Sequence, residues 1–240
     1  MEPIAQTPGT SAAASRARPA RRQRNARGQG ARLTEEIVSG AVALIEAAGT
    51  DEAVTLRAVA REIGIAAPSI YAHFADRDAI ITAVVQRIFE ELTEAVEAGM
   101  ASADQDPVSR LLAGCDAYVS FGLDHPARYG ALFSERRMAA REHCEPPGTG
   151  PARTGPDGKP VLEVGAETFA LLVRAIEDCA EAGVSASTDP FSDATAVWVA
   201  MHGTVSLRRA EPWFPWPDPD QLIRGYVLSL ARVTASAPRG

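Results

Sequence analysis

Residues 55–74, TLRAVAREIGIAAPSIYAHF, constrain the fold of this chain more than any other stretch, because they predict two short helices joined by a tight turn. The first helix has one apolar stripe at helical spacing, formed by Leu56, Val59, Ala60 and Ile63. Thr55 precedes the stripe as a predicted N-cap, and Gly64 follows it where a helix end favours a left-handed residue. The second helix is expected to bury Ile70 and Phe74.

Two helices of this length are too short to bury a core alone, so they need a third. Residues 34–48 supply it, with Thr34 as the predicted N-cap and a buried face of Ile37, Ala41, Leu44, Ile45 and Ala48. Helices in this order predict a helix-turn-helix domain, in which the second helix of the short pair enters the DNA major groove.

The run TLRAVAREIGIAAPSIYAHFADRDAI resembles the N-terminal DNA-binding domain of the tetracycline-repressor (TetR) family of bacterial transcription regulators, especially in its ending Y-x-H-F-x-x-R-D. The resemblance covers about residues 34–85. Two later segments, HPARYGALF (residues 125–133) and WVAMHG (residues 198–203), resemble a subgroup with a Trp-His-Gly signature.

The resemblance implies an all-α homodimer in which a three-helix N-terminal domain precedes a C-terminal helical ligand-binding and dimerisation domain. The implied parts are a disordered basic arm over residues 1–32, the helix-turn-helix domain over residues 33–79, and the C-terminal domain over residues 80–235. In this family, a long helix between the domains tilts when ligand binds, and Asp76 is the predicted N-cap of that helix.

Charge is distributed unevenly along the chain, whose net value is −7. Residues 1–33 contain seven arginines and one glutamate, whereas residues 34–80 contain eight acidic residues and three arginines. The predicted helix-turn-helix is therefore acidic, while binding to phosphates requires cations. We expect the arginine arm to supply non-specific DNA affinity, and the alternative is a disordered tail that only increases solubility.

Local signals place the remaining helices. Pro107 can begin one helix, and another is predicted from about Val161 to Glu181. Two more begin at Asp189-Pro190 and Asp218-Pro219, where Gln221 is placed to reach back to Asp218. Residues 145–160 contain five prolines and four glycines, which predict a mobile surface loop.

By the resemblance, eight residues are candidates for DNA contact: Thr55, Arg57, Ala67, Pro68, Ser69, Tyr71, His73 and Arg77. Tyr71, His73 and Arg77 would hold phosphates, whereas Ser69 and its two predecessors would face the bases. Ala66 and Ala67 stand where many relatives have Ser or Thr, so the recognition helix lacks a side-chain cap. The alternative for Tyr71 and His73 is half-buried packing within the domain.

Ligand is expected among the middle helices, where the candidates are Tyr118, Phe121, Tyr129, Phe133, Phe169, Trp198, Met201 and His202. Such residues at helical spacing are also typical of a plain core. The few polar handles favour a hydrophobic or aromatic inducer.

Other classes of protein have little support in the sequence. The four histidines show no metal-ligand spacing, no catalytic or dinucleotide motif occurs, and we expect no cofactor. No apolar run approaches the length of a membrane span, and no secretory signal is recognised. Three widely spaced cysteines are typical of the reducing cytoplasm.

We therefore expect a homodimeric cytoplasmic repressor that binds a palindromic double-stranded DNA operator and is released by a small apolar inducer. Repression, rather than activation, is the family tendency. The alternative is a constitutive or architectural DNA-binding protein without a ligand.

Overall fold

The computed structural model describes residues 30–134 and 165–234, in which the regular structure is helical apart from one isolated β-bridge between Ser185 and Val233. The α-helices are α1 (Gly30–Ala48), α2 (Leu56–Glu62), α3 (Arg77–Ser102), α4 (Pro107–Asp124), α5 (Pro126–Leu132), α6 (Ala166–Glu181), α7 (Pro190–Ala210) and α8 (Pro219–Leu230). Two short 3-10 helices, Asp51–Ala53 and Ala67–Ala72, flank α2. The predicted all-α fold is confirmed.

The short helix pair forms as expected around α2. The Thr55 hydroxyl accepts a hydrogen bond from the Ala58 N–H at 3.1 Å, so its predicted role as N-cap is confirmed. Gly64 adopts a left-handed conformation with φ of 71°, as predicted for a residue after the helix end. The second helix, Ala67–Ala72, is a 3-10 helix, and Ala66 makes no side-chain cap. We call Ala67–Ala72 the recognition segment.

The predicted start of α1 at Thr34 is wrong. The helix begins one turn earlier at Gly30, and the Thr34 hydroxyl donates to the Gly30 carbonyl oxygen at 3.2 Å inside the helix. The extra turn brings Leu33 into the core at 9% exposure, and Arg32 pairs with Glu36 at 3.1 Å along it. The basic arm was expected to extend to residue 32, but residues 30–32 are helical, and residues 1–29 lie outside the described residues.

Helix α3 connects the helix-turn-helix domain to the rest of the chain. The Asp76 carboxylate caps it by accepting from the Ala79 N–H at 2.8 Å, as predicted. Its buried stripe runs from Ile80 to Val96, so one continuous helix packs first against α1 and then against α4. Because an α-helix is stiff, a displacement at one end of α3 must be accommodated at the other.

The C-terminal helices surround α4. Helix α4 begins at Pro107, α7 at Pro190 and α8 at Pro219, as the Asp-Pro and Pro signals predicted. Helices α4 and α7 come very close at Gly122, where an added Cβ would lie 2.7 Å from the Val205 side chain. The core of buried apolar side chains is continuous from α1 to α8.

Two details of these helices differ from the predictions. Gln221 does not reach back through its side chain; instead its backbone N–H donates to the Asp218 carboxylate at 3.1 Å. Helix α6 begins at Ala166, after a left-handed Gly165, and residues 161–164 of the predicted helix lie outside the described residues. The predicted loop at residues 145–160 lies there too. Among the described helices, none has the length and apolar character needed to cross a bilayer.

Candidate nucleic-acid interface and internal cavity

The eight predicted DNA-contact residues lie on or next to α2 and the recognition segment, and in the first turn of α3. Thr55, Arg57, Pro68, Ser69 and Tyr71 are exposed, whereas Ala67, His73 and Arg77 are partly buried. The Tyr71 ring is 63% exposed although the neighbouring Ile70 is fully buried. The 3-10 helix therefore holds an apolar anchor inward and a hydroxyl-bearing aromatic outward. DNA contact by these residues remains a prediction.

His73 connects the recognition segment to α1. Its Nδ1 lies 3.0 Å from the Thr34 hydroxyl, and a Cβ built on Gly30 would lie 3.9 Å from its Cε1. This position agrees with the packing alternative raised for His73. It also places Gly30, the first described residue, beside the end of the recognition segment.

Arg77 turns back into its own domain. Its Nε donates to the Val54 carbonyl oxygen at 2.7 Å, and its Nη2 donates to the Asp51 carbonyl oxygen at 2.6 Å. These bonds satisfy two carbonyls of the turn before α2. The side chain is only 20% exposed. In this geometry Arg77 stabilises the turn before α2, whether or not it also contacts phosphate.

Two further arginines lie on α2. Arg57 and Arg61 are four residues apart and both exposed, and neither forms an ion pair with another described residue. Their helical spacing places them on one side of α2. Arg61 was not among the sequence candidates, although its spacing from Arg57 was a usable signal.

The C-terminal helices enclose a cavity of about 580 Å³. This volume lies within the usual range for small-molecule sites, about 300–1,000 Å³. Its wall is formed mainly by apolar and aromatic side chains of α3, α4, α6 and α7. The lining residues that carry a polar group are Cys115, Tyr118, Thr168, Thr195 and Trp198. No described lining residue carries a full charge at neutral pH.

The structure separates the predicted ligand-binding residues into two groups. Five line the cavity: Tyr118, Phe133, Phe169, Trp198 and Met201. Tyr129 and His202 do not line it but are linked to the wall by hydrogen bonds. Phe121 is buried elsewhere, with its ring 5.1 Å from the His125 ring. Ligand binding by any of them remains a prediction.

A chain of hydrogen bonds runs from the cavity wall through α5 to α7. The Trp198 Nε1–H donates to the Tyr118 hydroxyl at 3.2 Å, which lies 3.0 Å from the Tyr129 hydroxyl. The Tyr129 hydroxyl lies 2.9 Å from His202 Nδ1, and His202 Nε2 lies 3.4 Å from the Ser206 hydroxyl. We call this chain the Tyr–His relay.

Burial keeps the groups around the cavity neutral. It raises the pKa of both Tyr118 and Tyr129 and lowers the pKa of His202. Burial also raises the pKa of the Cys115 thiol in the cavity wall, which therefore stays protonated and unreactive at neutral pH.

Helix α5 lies between the cavity and the helix-turn-helix domain. Its Arg128 pairs with Glu46 of α1 and with Glu91 of α3, each at 2.6 Å. Just beyond α5, Phe133 lines the cavity, and the next residue, Ser134, donates to the buried Asp51 carboxylate at 3.3 Å. The same short segment thus contacts both the cavity and the helix-turn-helix domain.

Several residues of the cavity and its surroundings were not found from the sequence. Phe191 and Thr195 line the cavity, and their spacing from Trp198 along α7 was an available signal. No local signal exists for the partners of Arg128, which are distant along the chain. Within the part of the chain that the structure describes, no three His, Cys, Asp or Glu side chains are grouped as metal ligands.

Models of known protein families match two parts of the chain. The profile "Bacterial regulatory proteins, tetR family" matches residues 37–84, and the profile "Tetracyclin repressor-like, C-terminal domain" matches residues 111–229. The HTH-type transcriptional regulator Rv0681 of Mycobacterium tuberculosis is 31% identical over 98 residues, a match that spans 41% of this chain and 44% of that protein.

Solved structures share the fold. A protein of unknown function from Rhodococcus sp. RHA1 superimposes with a TM-score of 0.66 at 25% identity, covering 83% of this chain and 94% of that chain. A tetR-family regulatory protein from Rhodococcus RHA1 gives a TM-score of 0.56 at 20% identity, covering 83% of this chain and 95% of that chain. The second similarity concerns the fold alone.

Proposed function

Because this chain belongs to the tetracycline-repressor family of DNA-binding transcription regulators, we propose that it is a ligand-responsive transcriptional repressor located in the cytoplasm. It binds a palindromic operator as a homodimer, and a small, mostly apolar molecule in the cavity releases it. The observation that carries this proposal is the course of α3. This helix begins directly after the recognition segment, and farther along it lines the cavity through Phe89, Val96 and Met100.

The exposed residues of α2 and the recognition segment support the operator-binding part. Tyr71 and Ser69 can reach the DNA without unpacking the domain, because neither is buried. Arg57 and Arg61 offer two cations that no described acid neutralises. The arginines of residues 1–29, attached beside His73, add sequence-independent affinity in this proposal.

The outer face of α7 supports the homodimer. Val199 is 60% exposed and Leu207 is 53% exposed, and Gly203, with open space around it, lies between them on the same face. In the turn after α7, Phe214 is 55% exposed and Trp213 is 94% exposed. A second copy of the chain would cover these apolar side chains and remove them from water. Two recognition segments would then face half-sites about 34–36 Å apart.

The test is fluorescence anisotropy with DNA that flanks the protein's own gene and with a scrambled duplex, each at two salt concentrations. A specific regulator binds the native fragment more tightly by roughly a thousandfold or more. Equal and strongly salt-dependent binding to both duplexes would contradict operator recognition at that fragment.

A screen of small molecules for release of the bound fragment then tests the ligand. Release by an apolar compound supports the repressor proposal. Specific binding that no compound changes would instead favour the constitutive or architectural alternative.

A further inference from the structure

The wall of the cavity provides no partner for a charged ligand. Its described side chains are apolar apart from two threonines, one tyrosine, one tryptophan and one protonated cysteine. A carboxylate or ammonium group entering this space would lose its hydration without gaining an opposite charge from those residues. The described residues therefore favour an uncharged molecule.

The two threonine hydroxyls already use their hydrogens within the protein. Thr195 donates to the Phe191 carbonyl oxygen at 2.8 Å. Thr168 lies 2.6 Å from the Thr93 hydroxyl, which donates to the Phe89 carbonyl oxygen at 2.8 Å, so the Thr168 hydrogen is left to point at Thr93. Neither threonine is then free to donate to a ligand.

Tyr118 differs from the threonines because the Tyr–His relay can run in two directions. When His202 carries its proton on Nε2, Tyr129 donates to Nδ1 and Tyr118 donates to Tyr129. The Tyr118 oxygen, which also accepts from Trp198, then retains one lone pair for a ligand hydroxyl. When His202 carries its proton on Nδ1, the bonds between His202 and Tyr129 and between Tyr129 and Tyr118 reverse, while Trp198 still donates to Tyr118. The Tyr118 hydrogen is then left for a ligand carbonyl.

We propose that the cavity binds an uncharged, mostly apolar molecule with one hydrogen-bonding oxygen, and that Tyr118 recognises this oxygen. The proposal rests on the ligand-binding function proposed above and names the chemical class of the ligand: an aromatic or aliphatic ketone, phenol or alcohol. Tyr118 is the specificity-determining residue, and His202 adapts its tautomer to the oxygen that enters.

The test uses the full chain without DNA and three naphthalenes of nearly equal shape. 2-Acetylnaphthalene has a carbonyl acceptor, 2-ethylnaphthalene has none, and 2-naphthoate has a negative charge. Affinity is measured by displacement of N-phenyl-1-naphthylamine, a neutral probe whose fluorescence increases in an apolar site. We expect the ketone to bind about five- to tenfold more tightly than the hydrocarbon. We expect 2-naphthoate to bind at least about tenfold more weakly than the ketone.

Two matched variants assign the difference to Tyr118. Tyr118→Phe removes only the hydroxyl and should make the ketone and the hydrocarbon bind about equally. Tyr226→Phe removes the hydroxyl of a tyrosine that does not line the cavity, and it should leave the ratio as in the wild type. Near-ultraviolet circular dichroism of both variants checks that the fold is retained.

Three results would overturn the proposal: tightest binding by 2-naphthoate, an unchanged ratio in Tyr118→Phe, or no binding of the probe and the three compounds. These results are separable from a failure of the proposed function, which is read from DNA anisotropy. A protein that ranks the three compounds as expected but never leaves its operator would contradict the repressor proposal and support the ligand class.

Discussion

The guanidinium of Arg128 joins the cavity region to the DNA-binding domain through Glu46, with its Nε 2.6 Å from Oε1 of that glutamate. The same guanidinium holds Glu91 of α3 through Nη1 at 2.6 Å. Arg128 is followed directly by Tyr129, a member of the Tyr–His relay. A displacement of Tyr129 in the relay can therefore move Arg128, which is its neighbour in α5, and through Arg128 its partners on α1 and α3.

This relationship predicts that Arg128→Met weakens the response to ligand more than it weakens DNA binding. Methionine keeps much of the apolar stem but loses both ion pairs. The measurement uses a compound found in the release screen. The concentration of this inducer that releases half of the protein from its operator should rise several-fold, whereas operator affinity should stay within about threefold of the wild type. Arg174→Met, which changes an exposed arginine of α6, is the control.

Two further variants separate the two arms of this link. Glu46→Gln removes the negative charge that pairs Arg128 with α1, and Glu91→Gln removes the one that pairs it with α3. If ligand binding acts on the DNA-binding domain directly through α1, Glu46→Gln should reproduce the effect of Arg128→Met more closely than Glu91→Gln does. A normal response in all three variants would exclude this ion-pair link.

Arg77→Ala should lower the free energy of unfolding by about 1–3 kcal/mol, because it leaves the Val54 carbonyl oxygen without its donor and removes one of the two donors to the Asp51 carbonyl oxygen. Urea unfolding of the variant measures this change. Arg57→Ala, at an exposed site without a described partner, is the control and should unfold at nearly the wild-type urea concentration. Equal urea midpoints for both variants would show that the hydrogen bonds of Arg77 have no measurable effect on stability.

Tyr71→Ala should weaken binding to operator and scrambled DNA by a similar factor, because a phosphate contact carries no sequence information. Ser69→Ala should instead change the order of preference among operator variants. Anisotropy against a panel of single-base substitutions measures both effects. Unchanged affinity in Tyr71→Ala would show that the exposed ring is not at the DNA interface.

Val199→Arg combined with Leu207→Arg should dissociate the proposed dimer. The two charges would lie on the exposed apolar face of α7, where a partner helix could not hydrate them. Sedimentation equilibrium should show the wild type at twice the monomer mass and the double variant at the monomer mass. Glu177→Arg, on the exposed side of α6, is the control and should remain dimeric. A double variant that stays dimeric would place the interface elsewhere.

Acidification should destabilise the protein through His202. Burial lowers its pKa in the folded state, so the unfolded chain binds a proton first as the pH falls. The stability that neutral His202 contributes is therefore complete above its unfolded pKa of about 6.5 and is lost as the pH falls towards its folded pKa. Urea unfolding at pH 7.5 and 5.5 should show a smaller loss for His202→Asn than for the wild type. Equal losses would contradict this assignment.

The helix boundaries were largely predictable because their signals are local. Asp76, Asp189 and Asp218 each cap a helix through an N–H only three residues ahead, so a short stretch of sequence contains the whole interaction. Thr34 misled for the same reason. Threonine is a common N-cap residue, but distant residues bury Leu33, and α1 therefore begins one turn before Thr34.

The sequence by itself determined the all-α fold, most helix starts and the apolar faces of α1 and α2 apart from Ala48, which is exposed. All of these follow from spacing within a few residues. Only the tertiary structure decided which faces enclose the cavity, that Tyr129 and His202 lie behind its wall, and that Arg77 turns inward. It also decided that Arg128 meets Glu46, which lies 82 residues away along the chain. Helical periodicity indicates that a face is buried, but the partner depends on how all the helices pack together.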